Sequence, residues 1–375
     1  MSVPELRHGP PWVMEDMIAL QPGLAGPIAA DRQAAAAIAE IAAGVAAKSA
    51  PIVVTGCGTS EHAAMAVAAL LRDVAPGPFV VAREAFEASL EPQSGGLCLA
   101  ISHEGETAAT VAALKSARAR GAATAVITAV AGAPVTRFAD DALVTPTVDR
   151  SWCHTVGFLS PILAGGAIAA AFSGRGLPAE AVSVRISTIL AMRDAAMDIG
   201  RRLAGLDRLV AVGSGLDLIA ARELALKVEE GARSPAVGRA LETQLHGHLA
   251  SADDRCGLIV IVTDPAAHDR RQARAEQLLG AAQRLGMPAA GIVSEDVAAS
   301  WPADLTSAGR LVVPDPRPAA ALAAPLATIV QTAVAVQLLT VGLIHAAGTN
   351  PDRIRREEPA YAEAAAIAEV TAPIS

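Results

Sequence analysis

One pattern is written twice along this chain. An apolar run from Pro51 to Val54 breaks at Thr55-Gly56-Cys57-Gly58-Thr59-Ser60 and passes into an alanine-rich helical pattern from Glu61 to Leu71. Arg208 to Val212 does the same ahead of Gly213-Ser214-Gly215, with a helical pattern from Leu216. A second apolar run follows in each copy, Leu97 to Ser102 and Leu258 to Thr263. Each copy then carries a helical stretch closing at Arg120-Gly121 or Leu285-Gly286, and a third run, Ala123 to Thr128 or Ala289 to Ser294. Strands that alternate with helices must pair in parallel, because each crossover returns the chain to the same edge with a right-handed turn.

The expected fold class is therefore α/β: two tandem doubly wound parallel sheets, each a flavodoxin-like three-layer αβα unit. The expected divisions are an N-terminal helical segment (1–29), a first domain (30–175), a helical linker (176–207), a second domain (208–348) and a C-terminal tail (349–375) that contributes to the site. A length of 375 residues agrees with two cores rather than one. With 52% hydrophobic but only 2% aromatic residues, those cores must be built from Ala, Val, Ile and Leu, as in sheets buried on both faces.

Charge and cysteine content narrow the function classes. A net charge of -8 with scattered Lys and Arg lacks the basic footprint of a nucleic-acid binder, yet leaves room for a small anionic substrate held by local positive potential. Cys57, Cys98, Cys153 and Cys256 form no CxxC pair, and three adjoin apolar runs, so a reducing compartment without disulfides is expected. The first residues carry Glu5, Arg7, Glu15 and Asp16 and no apolar leader, which points to the cytoplasm. Thr155 to Gly174 and Ala319 to Gly348 are uncharged, but Pro161, Pro325, Gln331, Gln337 and His345 interrupt them. They are expected to be helices buried at a domain or subunit contact rather than membrane spans, and the apolar surface they offer predicts a two-fold dimer.

In doubly wound sheets ligands bind beyond the carboxyl ends of the strands, where the strand order reverses, so the glycine-rich breaks and the loop after the second run are the places to search. Gly58-Thr59-Ser60 sets hydroxyls and backbone N–H groups at a helix start, suited to an anion or hydroxyl; it also reads as a tight turn capped by Ser60. Glu223, Lys227 and Glu230 are spaced i, i+4, i+7 and share a helix face. This is either a solvated Glu-Lys pairing or a carboxylate–amine–carboxylate cluster fit to move a proton at carbon. His246 follows sixteen residues after Glu230, beyond a helix break at Gly231, Pro235 and Gly238. His246 with His248 lacks a third ligand, so no metal and no cofactor are expected.

From about Trp12 to Tyr361 the chain resembles the double sugar isomerase (SIS) domain proteins. These include the isomerase half of glucosamine-6-phosphate synthase, glucosamine-6-phosphate deaminases of that fold, tagatose-6-phosphate isomerases and fructosamine-phosphate deglycases. The likeness rests on Gly56-Cys57-Gly58-Thr59-Ser60, Ser102-His103-Glu104-Gly105-Glu106-Thr107, Glu223 to Glu230, Leu245-His246-Gly247 and Gly348-Thr349-Asn350-Pro351-Asp352. The resemblance implies that Glu230 is the base and that Lys227 and Glu223 line its site. It implies that His246 opens the sugar ring from the neighbouring subunit, and that Ser102 to Thr107 cradle a phosphate. Cys57, Gly58, Thr59, Ser60, Glu104, His154 and Arg355 complete the expected contacts.

Three departures stand out. Glu104 replaces a serine of the phosphate cradle, Thr155-Val156 replaces a Thr-Lys step, and Arg355-Arg356 stand near the position of a lost lysine. The synthases carry a glutaminase domain ahead of this region, for which the sequence leaves no room. The expected activity is thus an aldose–ketose or deaminating isomerase working by C1–C2 proton transfer, without glutaminase activity, on a sugar or sugar phosphate. The site is expected at the interface of a homodimer. A fructosamine(-phosphate) deglycase and a non-catalytic sugar-binding regulator are the alternatives.

Overall fold

The computed structural model describes residues 3–75, 79–317 and 321–369. Among the described residues ten strands form two five-stranded sheets in which every pairing is parallel. The first contains β1 (Ile52–Gly56), β2 (Val80–Glu84), β3 (Leu97–Ile101), β4 (Ala123–Thr128) and β5 (Asp141–Val144), in the order β2-β1-β3-β4-β5. The second contains β6 (Arg208–Gly213), β7 (Ala236–Ala240), β8 (Cys256–Val262), β9 (Ala289–Ser294) and β10 (Gly309–Val313), in the order β7-β6-β8-β9-β10. The two orders are the same when each half is counted from its own start. Each reverses between its first and third strand, which places crevices at the ends of β1/β3 and β6/β8.

The duplication extends to single atoms. A Cβ on Gly56 would lie 2.5 Å from the carbonyl oxygen of Ser60, and one on Gly213 would lie 2.3 Å from that of Asp217. Both strand-to-helix turns therefore close so tightly that only glycine fits.

The strands expected from apolar runs are β1, β3, β4, β6, β8 and β9; β2, β5, β7 and β10 were not legible. Each flanks its sheet, is only partly buried, and carries polar residues such as Arg83, Glu84, Asp141 and Arg239. The largest correction is β7. Gly231, Pro235 and Gly238 suggested only a break, but a strand forms over Ala236–Ala240 and pairs with β6.

The uncharged stretches become the helices Val156–Phe172 and Ala324–Ala347 at the centre of the molecule. Ala324–Ala347 is long and apolar enough to cross a membrane, and its apolar window is wholly buried within the chain. Ala319 lies outside the described residues. The structure therefore removes the reason given for a dimer, since these stretches bury their apolar surface against the chain itself. The segment expected as a linker contributes too. Its helices Ala179–Leu190 and Arg193–Leu203 pack on Ala324–Ala347, with Gly200 and Gly342 so close that a Cβ on either would collide with backbone of the opposite helix.

Buried polar groups pin the centre. Gln337 donates to the Thr155 carbonyl at 3.1 Å and accepts from Gln21 at 2.7 Å. The Asp352 carboxylate accepts the backbone N–H groups of Val13 and Met14, fixing the start of the helix Val13–Ala19 to the C-terminal loop.

Candidate active site

The start of the helix Thr59–Val74, just beyond β1, packs on the helix Asp217–Lys227 of the second half. That helix loses its α-helical hydrogen bonding after Lys227, and Val228–Ala232 form a π turn that ends where Arg233 adopts φ 58°. Such widened turns recur at functional sites because they re-aim side chains. Here the turn brings Glu230 back onto Lys227: the Nζ atom lies 2.5 Å from Glu230 Oε2 and 3.7 Å from Glu223 Oε1. Lys227 and Glu223 are buried, whereas 21% of the Glu230 side chain reaches the surface. Within the cluster the open carboxylate is Glu230.

Burial alone would push the Lys227 ammonium down, but the Glu230 and Glu223 carboxylates outweigh it and hold its pKa above the usual value. For Glu230, burial pushes the carboxyl up and Lys227 pulls it partly back. The buried Cys153 thiol, itself pushed well up by burial, hydrogen-bonds to Glu230. Glu223 is held by the first half of the chain: His62 Nδ1 lies 2.7 Å from Oε2 and Thr59 donates to Oε1 at 3.4 Å.

The loops after β3 and β5 meet through His103. Ser102 is buried, and its Oγ has no hydrogen-bond partner among the described residues. His103 Nε2 accepts the Asp149 N–H at 2.7 Å, which leaves its ring proton on Nδ1. The Asp149 carboxylate accepts the N–H groups of Ser151, Thr155 and Gly157, so the loop wraps round one buried charge. The His154 ring centroid is 5.2 Å from that of His103. Burial, then His103 and Lys227, push the His154 pKa well down, so the ring is neutral, and its buried Nε2 has no partner among the described residues.

Glu104 is half-buried and burial raises its pKa. Thr107 is exposed at the start of the helix Ala108–Ala119. Cys57 donates to Glu84 at 3.3 Å, and burial followed by Glu84 pushes its thiol up to about 12, leaving it a poor nucleophile. The helix Thr59–Val74 starts from Gly58 at φ 55°; Ser60 lies inside its first turn and does not cap it.

The fold thus gathers Thr59, Glu223, Lys227 and Glu230, sets Cys153 and His154 beside them, and ties the loop of Ser102 to that of His154 through His103. His246 and Arg355 stand elsewhere. His246 is 71% exposed and pairs with Glu242 at 2.8 Å. Arg355 donates to Glu358 at 2.9 Å and lies 3.9 Å over the Tyr361 ring. Sequence reasoning missed His62, His103, Asp149 and the contact of Cys153. Only His62 left a signal, one helical turn after Thr59 on the same face.

The pattern of the SIS domain family matches residues 47–172, which hold β1 to β5 and the loops just described. That stretch is a SIS domain. Beyond that match, the chain is 31% identical over 264 residues to a glutamine–fructose-6-phosphate aminotransferase [isomerizing] of Halobacterium salinarum, over 62% of this chain and 42% of that protein. A protein of the same name from Symbiobacterium thermophilum is 29% identical over 254 residues, again 62% of this chain and 42% of its own length. The chain therefore spans about two fifths of the curated relatives it matches. Its fold is shared with the C-terminal domain of glucosamine-fructose-6-phosphate aminotransferase from Francisella tularensis (TM-score 0.77, 20% identity, 93% of this chain and 100% of that one). It is also shared with tagatose-6-phosphate ketose/aldose isomerase from Escherichia coli (TM-score 0.73, 20% identity, 91% and 95%).

Proposed function

We propose that this chain is a sugar isomerase, acting on an open-chain phosphosugar or aminosugar phosphate by moving a proton between C1 and C2. The observation that carries the reading is Glu230: it is the open member of a buried carboxylate–ammonium–carboxylate cluster, and burial raises its basicity. In the forward direction the Glu230 carboxylate takes the C2 proton of an aldose. The electron pair moves into a C1–C2 double bond, and the carbonyl oxygen at C1 gains a proton to give the enediol. Reprotonation at C1 by Glu230, with loss of the O2 proton, gives the ketose. A positioned carboxylate of raised pKa suits both steps, contributing on the order of a hundredfold to ten-thousandfold. The relatives' names, which include an isomerising step, support the same class of chemistry.

A second reading follows from Glu104, whose carboxylate stands between Ser102 and Thr107 in the loop expected to hold phosphate. A cationic amino group on the substrate would suit it better than a phosphate dianion, which favours fructosamine deglycation as the alternative.

One experiment separates these. The protein is incubated in D2O with hexose 6-phosphates, 2-amino-sugar 6-phosphates and fructosamine 6-phosphates, and followed by NMR. Deuterium at C1 or C2 with aldose–ketose conversion supports the isomerase, and release of free amino acid supports the deglycase. Binding without exchange or cleavage would leave only a sugar-binding role and overturn both.

A further inference from the structure

Lys227 does not sit midway between its two carboxylates: it is 2.5 Å from Glu230 and 3.7 Å from Glu223. The cause lies in the other half of the chain. Glu223 Oε2 is taken by His62 Nδ1 at 2.7 Å, and Oε1 accepts from Thr59 at 3.4 Å. His62 is on the helix Thr59–Val74 of the first half, 161 residues from Glu223 in sequence, and only 12% of its side chain is exposed. With its own donors in place, Glu223 competes weakly for the ammonium, which turns to Glu230. Glu230 faces Lys227 and Glu223 from the helix and Cys153 from the loop; Lys227 is also near His154.

We propose that His62 is a positioning residue that satisfies Glu223 from across the domain boundary and thereby directs the Lys227 ammonium onto Glu230. This rests on the isomerase reading for its catalytic meaning, but not for its geometry. The contact requires a proton on Nδ1, because the partner is a carboxylate. Without it Glu223 draws Lys227 away, and Glu230 loses the charge that orients it and keeps it ionised. A displacement of this kind near the reacting atom costs far more in rate than in binding.

Asparagine can place an amide N–H close to the position of Nδ1, whereas leucine fills the space without a donor. The first test is independent of substrate: the 15N and 1H signals of the Lys227 ammonium in the whole protein. They are expected to shift in His62→Leu and return toward wild type in His62→Asn. The second uses whichever phosphosugar the wild type converts. His62→Leu is expected to lower kcat by about tenfold to a hundredfold with KM within about twofold. Its acid limb should move to higher pH, and His62→Asn should recover most of the loss.

An unmoved Lys227 signal in a folded His62→Leu protein overturns the proposal, as does an Asn variant no better than Leu in both measurements. If the wild type converts no phosphosugar, the isomerase reading falls, and the Lys227 signal alone decides whether His62 governs the cluster.

Discussion

Lys227 holds its ammonium 2.5 Å from Glu230 with none of its own side chain exposed. A buried charge of this kind persists only while its partners remain, and removing one leaves the others uncompensated. Lys227→Met should therefore cost about 3–5 kcal/mol at neutral pH. The Lys227 pKa is raised in the folded state, so its contribution is fully present below the unfolded value of 10.5 and is lost only as pH rises beyond that. In Lys227→Met the cost should shrink on acidification, because Glu230, whose pKa burial already raises, can then take up a proton. Urea denaturation of both proteins at pH 5 and pH 8 checks the magnitude and the sign.

Glu230→Gln preserves shape and removes basicity. It should abolish C1–C2 proton transfer while sugar phosphate binding stays within about tenfold. Solvent deuterium still entering substrate in that variant would remove Glu230 from the role of base.

How much of this site could be read from the chain depends on how local its contacts are. The spacing of Glu223, Lys227 and Glu230 lies within one helix and its terminal turn, so it was visible as a shared face. The π turn was not, yet it brings Glu230 within 2.5 Å of Lys227. His62 escaped because its partner is 161 residues away, and no periodicity reports such a distance. The strands followed the same rule. Central ones, buried on both faces, read as apolar runs, whereas β2 and β7 mix polar residues into half-exposed strands and leave no signature. The apolar helices showed their burial but not what covers them: of the domain or subunit contact expected, the contact present is within the chain.

Glu104 gives the sharpest test of substrate. A carboxylate about 4 Å from a phosphate costs on the order of 4 kcal/mol at an effective dielectric near 20, a ceiling of roughly three decades of affinity. Partial exposure reduces that, so Glu104→Ser should tighten binding of a hexose 6-phosphate by at least about tenfold. Because burial raises the Glu104 pKa, wild-type affinity should also improve as pH falls through it, and the serine variant should lose that trend. Calorimetric titration at two pH values measures both effects. Equal affinities would show that Glu104 does not face the phosphate.

In the second half, the fully buried Asp217 accepts N–H groups from Thr263 and Asp264 and the Thr263 hydroxyl. Burial outweighs these bonds and lifts its pKa from 3.8 to about 6. A raised pKa contributes stability that is present below the unfolded value and lost as pH rises through the folded one. From pH 4 to pH 7 this group should therefore remove about 2 kcal/mol. Asp217→Asn, whatever its overall stability, should lack that fall. Denaturation midpoints across the interval decide it.

The exposed position of His246 bears on assembly. It is 71% exposed and bonded to Glu242, apart from the cluster that holds Glu230, so a shared site would need it to come from a second copy. In a two-fold dimer with sites built this way, Glu230→Gln and His246→Ala would each disable every site of their own homodimer. A mixed dimer would combine both defects in one site and leave the other intact. Random mixing makes about half of all dimers mixed, each with one working site of two, so refolding the two inactive proteins together should restore roughly a quarter of wild-type activity. Native mass spectrometry would confirm the mixed species. Mixed dimers without activity would show that the two residues do not complement one another across subunits, and a monomeric wild type would exclude His246 from the site altogether.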